Sequence, residues 1–386
     1  MLQKGQNMDK MITVLIAVGI LIGVTDTLRG NKWKLGEKFQ QGFRLIGSMM
    51  ISMAGIMTMA PVIALVLKPV AVPLFTRLHM DPSILSILLS CDMGGYPLAM
   101  SLAQNEKIGL MLGVVTAGMF GGTLTFTIPL GFGLIEKEDV PWFSRGILIG
   151  VGCIPVGSIV SGLLLQIPVR EVLWNSLPVL LMSVLIVYGM CRIPEKMISI
   201  MEKLGRVIEC IGLIGIAAGS MEYLTGWEII PGMEPLMDSM QVVCQITITL
   251  IGMFPVLELF TRILKNPLNR LGDKVGLDVT SVSGMIFSLA SSVPVFSLMK
   301  NMSKKGIIVN TAWIVLVSGM FGSQLGLVLG IGDGLLIPYM VGKLAAAAVG
   351  VAVSLVAARA YEQETVAGEK PYLDIAPYSY SRYDNR

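Results

Sequence analysis

DPSILSILLSCDMGGYPLAMSLA, from Asp81 to Ala103, and LDVTSVSGMIFSLASSVPVFSLMK, from Leu277 to Lys300, are two versions of one interrupted apolar segment. Superposed, they pair Asp81 with Asp278 and Pro97 with Pro294. A few residues on, Gly118-Met119-Phe120-Gly121 falls on Gly319-Met320-Phe321-Gly322. Upstream, Pro61-Val62 answers Pro255-Val256, and Lys68-Pro69 answers Asn266-Pro267. Apolar segments broken at corresponding positions of two halves point to the binding site of a secondary transporter. The repeat predicts an all-α polytopic membrane protein with an inverted-repeat transporter architecture.

The composition agrees. With 54% hydrophobic and 14% charged residues, the chain falls well short of the roughly 25% charge of a soluble domain. Several apolar runs approach or exceed the roughly 20 residues that cross a bilayer as helix. Five cysteines, at 91, 153, 191, 210 and 244, show neither a disulfide framework nor a CxxC spacing. One histidine, His79, excludes a multi-histidine zinc site, and no nucleophile–base pair suggests an enzyme. The first apolar run follows Lys4 and Lys10 but lacks a small-residue cleavage site, so it reads as a retained helix.

Charge between the runs sets the topology. Spans are expected at 11–28, 45–67, 109–134, 146–166, 172–191, 207–225, 241–261, 307–330 and 337–357, about nine transmembrane helices in all. Basic residues crowd 29–44 and 192–206, whereas 226–240 carries Glu228, Glu234 and Asp238 and no base. By the positive-inside rule the first two loops are cytoplasmic and the third external. The segment 279–299 has lysines or arginines on both flanks, so both ends lie on one side, and a re-entrant hairpin satisfies this. About ten residues per arm at 1.5 Å each reaches roughly 15 Å, near the midplane. Treating 83–103 likewise gives two re-entrant broken-helix hairpins, an external N-terminus and a cytoplasmic C-terminus. The expected units are a first repeat half, 1–171; a connector, 172–206; a second half, 207–357; and a flexible cytoplasmic tail, 358–386.

Asp92 is the sharpest candidate for chemistry. A carboxylate near mid-membrane costs about 2.5–3.5 kcal/mol on insertion scales, so it needs a role, either as counter-charge to a cation or as N-cap of the outgoing arm. Its mirror position is Leu289, which makes the repeat chemically asymmetric. Cys91, Met93, Gly94 and Gly95 share the tip with it, and the glycines let backbone approach a small ligand. Ser291 and Ser292 replace the glycines in the second copy. Gly121-Gly122-Thr123, Ser323-Gln324 and Asn310 are further candidate ligand groups, each equally consistent with an interhelical hydrogen bond. Pro97 and Pro294 are expected to fix the bends where arms leave the tips, and so to gate. Asp26 with Arg29 and Glu258 with Arg262 read as local helix pairs. Lys343, a few residues into the last span, reads as snorkelling outward.

SCDMGGYPLAMSLA, IPEKMI at Ile193–Ile198, GWEIIPGMEP at Gly226–Pro235 and MVGKL at Met340–Leu344 resemble the EutH family of bacterial ethanolamine transporters. The resemblance covers nearly the whole chain, with the CDMGG core its most specific part. It implies an inner-membrane carrier supplying ethanolamine to a catabolic pathway, often one housed in a bacterial microcompartment. The implied partners are a small cationic substrate and the lipid bilayer, not nucleic acid. A homo-oligomer is left open and no cofactor is implied. Some members of the family carry an Asp-His pair where this chain has Ser323-Gln324, which favours facilitated uptake over proton symport. Two alternatives stand beside this reading: a cation-coupled carrier of another small solute, such as a nucleoside or carboxylate, and a non-transporting membrane scaffold.

Overall fold

The computed structural model of the 386-residue chain describes residues 2–87, 95–332 and 334–366. Among them the regular structure is entirely helical, the form in which a chain crossing lipid satisfies its own backbone groups. Long helices are α1 (Leu2–Leu28), α3 (Gly55–Arg77), α5 (Val140–Leu164), α6 (Val169–Arg192), α7 (Pro194–Thr225), α8 (Leu236–Val275) and α11 (Leu336–Val366), with a short α2 (Leu35–Arg44) after α1. Between α3 and α5 runs α4 (Glu106–Leu134). Among the described residues, eight helices are long and apolar enough to cross a membrane.

The ninth expected span, 307–330, is not one helix. It is α9 (Lys304–Val317) and α10 (Ser323–Ile331), separated by the turn 318–322. The break falls on the second Gly-Met-Phe-Gly, where Gly319 has φ +67, a left-handed conformation that glycine alone adopts without penalty. The span expected at 45–67 is also displaced. After a π-helical stretch at Met50–Ala54, the helix continues from Gly55 to Arg77. Lys68 therefore lies on a helix and not in a loop, because the apolar run resumes after it. At the other end α11 runs to Val366, beyond the boundary expected at 358, and the remaining tail lies outside the described residues.

The expected Asp26–Arg29 pair is replaced by a different contact. Asp26 is fully buried and accepts the backbone N–H groups of Trp33 (2.8 Å), Leu35 (2.8 Å) and Gly36 (2.9 Å). It thereby supplies the acceptors that the first turn of α2 lacks. Arg29 instead lies over the Trp33 ring. The Glu258–Arg262 pair is present at 2.9 Å and is joined by Lys38 from α2 at 3.7 Å. Both are partly exposed contacts of small energy.

α4 lies at the centre of the molecule, with 89% of its most apolar window buried. Around it the helices pack through small residues. Gly55 of α3 lies against Gly212 and Gly215 of α7, leaving no room for a Cβ, the close approach that small residues permit between helices in lipid. A mixed core of Ile, Leu, Val, Met and Phe, including Met111, Met119, Phe120, Phe143 and Phe296, joins α4, α5, α9 and α11.

Candidate functional site

Each interrupted segment is closed at its mouth by the aspartate that begins it. Asp81 accepts the N–H of Ser83 at 2.9 Å, just downstream. It also accepts the N–H groups of Gln104 (3.0 Å) and Asn105 (2.9 Å), where the chain comes back. Asp278 does the same. It takes the N–H of Ser281 at 2.8 Å, and the N–H and hydroxyl of Ser303 at 3.0 and 2.8 Å. Start and finish of each segment therefore lie side by side, the geometry expected of a hairpin. Such bonds to a carboxylate are charge-assisted and among the stronger ones available. Burial pushes the Asp278 carboxyl up, but the bonds from Ser281 and Ser303 outweigh it and hold it below the usual carboxylate value.

The arms are unequal. The first hairpin goes in as a 3-10 helix, Pro82–Ile87, and returns as an α-helix, Gly95–Leu102. The second goes in as Val279–Ser288 and returns as Val293–Leu298, both α-helical. Pro97 and Pro294 both sit in the first turn of the returning arm, where a proline's missing N–H costs nothing. Pro97 is half-buried and Pro294 exposed.

The tip of the second hairpin is bonded to the break in the neighbouring crossing. Gly319 N–H donates to Ser288 O (3.1 Å) and Phe321 N–H to Leu289 O (2.9 Å). A Cβ on Gly322 would stand 2.6 Å from Ala290 O. Two stretches of non-helical backbone thus satisfy each other, as such backbone must where no water reaches it.

From this break the contacts run into the first half. Gln324, at the start of α10 and 5% exposed, donates through Nε2 to the carbonyl of Gly118 on α4 at 3.1 Å. The first Gly-Met-Phe-Gly motif is thereby tied to the residue two places beyond the second. Gln324 Oε1 accepts from Tyr339 OH at 3.2 Å and from Lys343 Nζ. Tyr339 OH also lies 3.0 Å from Met320 O. Lys343 is 1% exposed, and its Nζ is 5.4 Å from the Tyr339 ring centroid. It does not snorkel outward as the sequence suggests: Gln324 and Tyr339 hold it inside. On the first-half side, Gly113 of α4 packs against Ala99, Gly95 and Tyr96 of the returning arm. Tyr96 and Ala290, from the two hairpins, rest on one cluster that contains Ile246, Leu250, Phe254 and Leu327.

The residues expected to form the site are therefore distributed as follows. Cys91, Asp92, Met93 and Gly94 lie outside the described residues. Gly95 starts the returning arm and is buried; Ser291 and buried Ser292 are at the second tip. Ser323 and Gln324 begin α10 beside that tip. Gly121 and Gly122 are on α4 one turn past Gly118. Thr123 is buried and its hydroxyl donates to Met119 O within its own helix. Asn310 stands apart: its Nδ2 bonds Ser281 O and Gly306 O, both at 3.0 Å. It lies seven residues before the end of α9, about 10 Å at helical rise, and ties the hairpin's incoming arm to α9. Lys343, Tyr339 and the carbonyl of Gly118 are the groups that sequence reasoning passed over. The signal for the first two was a lysine and a tyrosine four apart in an apolar run, on one helix face.

A separate groove of about 620 Å³ lies between α5, α6 and α11, lined by residues such as Leu148, Cys153, Val184 and Tyr188. None of its lining residues belongs to the broken segments. Among the described residues no group of three His, Cys, Asp or Glu side chains is placed to hold a metal ion.

The chain is similar to known proteins along most of its length. The family model described as "Ethanolamine utilisation protein, EutH" matches residues 8–357. The "Probable ethanolamine permease EutH" of Listeria monocytogenes is 34% identical over 365 residues, 94% of this chain and 98% of the relative. That of Salmonella typhimurium is 33% identical over 348 residues, 83% of this chain and 85% of the relative. "Uncharacterized protein YxeR" of Bacillus subtilis is 37% identical over 335 residues, 86% of this chain and 90% of the relative. No solved structure matches the chain. With the family model spanning residues 8–357 and relatives of this name about a third identical along most of the chain, the chain belongs to the EutH family of ethanolamine utilisation proteins.

Proposed function

We propose that the chain carries ethanolamine, as its protonated cation, across the cytoplasmic membrane for catabolism, by alternating access at a site near the bilayer midplane. The observation that carries this reading is the pair of hairpins, each clasped by a matching aspartate, in a chain whose relatives are named probable ethanolamine permeases. Ethanolamine brings one ammonium and one hydroxyl. Gln324 Oε1 already accepts from one group of each kind, Lys343 and Tyr339. Asp92 is the counter-charge to the substrate ammonium, since a carboxylate within an apolar membrane segment is costly unless it is used. Ser291, Ser292 and Ser323 offer hydroxyls for the substrate's own hydroxyl. Movement without a coupling ion fits a chain with Ser323-Gln324 at the start of α10. The direct test is uptake of labelled ethanolamine into sealed proteoliposomes, with pH and sodium gradients imposed separately. Uptake without either gradient is expected. Uptake of a nucleoside or carboxylate in preference to ethanolamine would overturn the reading.

The halves are inverted relative to each other in this proposal. Five long helices, α4 to α8, separate the two hairpins, and an odd number of crossings puts them on opposite sides. With the basic loops cytoplasmic, this reading has the first hairpin outside, the second in the cytoplasm, the N-terminus outside and the C-terminus inside. Single cysteines replacing exposed Lys107 and Asn301 in a cysteine-free background are expected to label from outside and from the cytoplasm, respectively. Labelling of both from one face overturns the inversion.

A further inference from the structure

We infer that Lys343 is a tethered stand-in for the substrate: its ammonium fills the ammonium subsite of the empty carrier and leaves when ethanolamine binds. This rests on the ethanolamine reading above and adds the residue that closes the site when cargo is absent.

Lys343 lies seven residues into α11, about 10 Å from its start at helical rise. A lysine's stem is long enough to carry its charge outward from such a position. Here it turns inward, is buried, and donates to Gln324 Oε1 beside the Tyr339 ring. A charge kept inside an apolar bundle marks a functional position. The lysine head is a primary ammonium on a methylene chain, and so is the head of protonated ethanolamine. The Gln324 oxygen and the Tyr339 ring face that hold one hold the other. Two ammonium groups cannot share the subsite, because like charges at contact repel strongly in a low dielectric. Occupancy is therefore exclusive, and binding of cargo requires the lysine to move off.

The location gives the exchange a consequence. Gln324 also donates to Gly118 O across to the first half, and Tyr339 holds Met320 O in the break. The subsite is the seam between the halves. When cargo departs, Lys343 refills it, so the acceptors are not left bare while the empty carrier reorients. Removing the lysine is expected to leave a carrier that exchanges cargo for cargo but returns poorly when empty.

The test compares net uptake into ethanolamine-free vesicles with exchange into vesicles preloaded with ethanolamine, alongside equilibrium binding of ethanolamine. In the wild type the two rates are expected to be similar. Lys343→Met should bind ethanolamine about tenfold more tightly, and its net uptake should fall about tenfold or more relative to its own exchange. Lys343→Met with exchange and net uptake lost together, or with both unchanged, overturns the inference. So does a wild-type protein whose exchange already outpaces net uptake about tenfold, a result that needs no variant to fold. Wild-type protein that neither binds nor moves ethanolamine overturns the ethanolamine reading itself, and the role of Lys343 with it.

Discussion

The two Gly-Met-Phe-Gly motifs are identical in sequence and opposite in conformation. At 118–121 the motif lies inside an unbroken α4, with π-helical stretches on either side at Met111–Thr116 and Thr123–Thr127. At 319–322 it is the break itself, with helix ending at Val317 and resuming at Ser323. The motif alone therefore does not dictate the break. Two glycines in four residues make the helix weak, and the surroundings decide what becomes of the weakness. In the second half the carbonyls of Ser288 and Leu289 accept the N–H groups that the break releases. In the first half Gly118 keeps its helix and offers its carbonyl to Gln324. The residue before the motif leans the same way: Ala117 is the best helix former, whereas Ser318 competes for its own backbone.

If the halves share a frame but differ in their use of it, the clasps should matter equally. Asp81→Ala and Asp278→Ala each strand several backbone N–H groups, for a loss of about 3 kcal/mol in each case. Thermal unfolding in detergent reads this, and a silent member of the pair would break the structural half of the comparison. The chemical asymmetry comes next. Asp92→Asn is expected to weaken ethanolamine binding by about ten- to a hundredfold, or roughly 1.5–3 kcal/mol, while Leu289→Asn at the mirror position leaves affinity nearly unchanged. An unimpaired Asp92→Asn would remove that carboxylate from the site, because Asn caps a helix as well as Asp. Smaller again is the effect at the motifs. Gly319→Ala places a side chain at φ +67 and should cost about 1–2 kcal/mol. Gly118→Ala gains helix propensity of about 1 kcal/mol but brings a Cβ to 3.2 Å from Gln324 Oε1, so its stability should barely change. The smallest stability effect is that of Pro97→Ala or Pro294→Ala, under about 1 kcal/mol. Transport that slows more than stability falls would assign the prolines to gating, and wild-type rates in both variants would leave them as helix starts.

Much of this frame is legible in the chain because it is written as repetition. Asp81 and Asp278 align without any knowledge of the fold, and two basic flanks around one apolar segment imply a hairpin. What the alignment does not reveal is that each aspartate also holds the returning end of its segment, since the backbone N–H groups it takes there are some two dozen residues away and carry no side-chain signature. The split of 307–330 escaped for a related reason: Val, Ile and Leu run through both pieces, and only contact with the second tip fixes where the helix stops. Lys343 was visible as a charge in an apolar run, but the length of its stem allows two destinations. The Gln324 oxygen and the Tyr339 ring face choose between them, and they come close only once α10 and α11 pack together.

Holding both ends of a hairpin on one carboxylate has a mechanical consequence. With start and finish pinned together at Asp278, the arms cannot splay or slide past each other at the mouth. Motion of the tip reduces to rotation of a lever about a fixed pivot. An arm of about ten residues is roughly 15 Å long, so a tilt of about 10° displaces the tip by about 2.5 Å. That is close to the length of a single hydrogen bond, enough to detach Ser288 and Leu289 from the crossing they brace while the pivot stays in place.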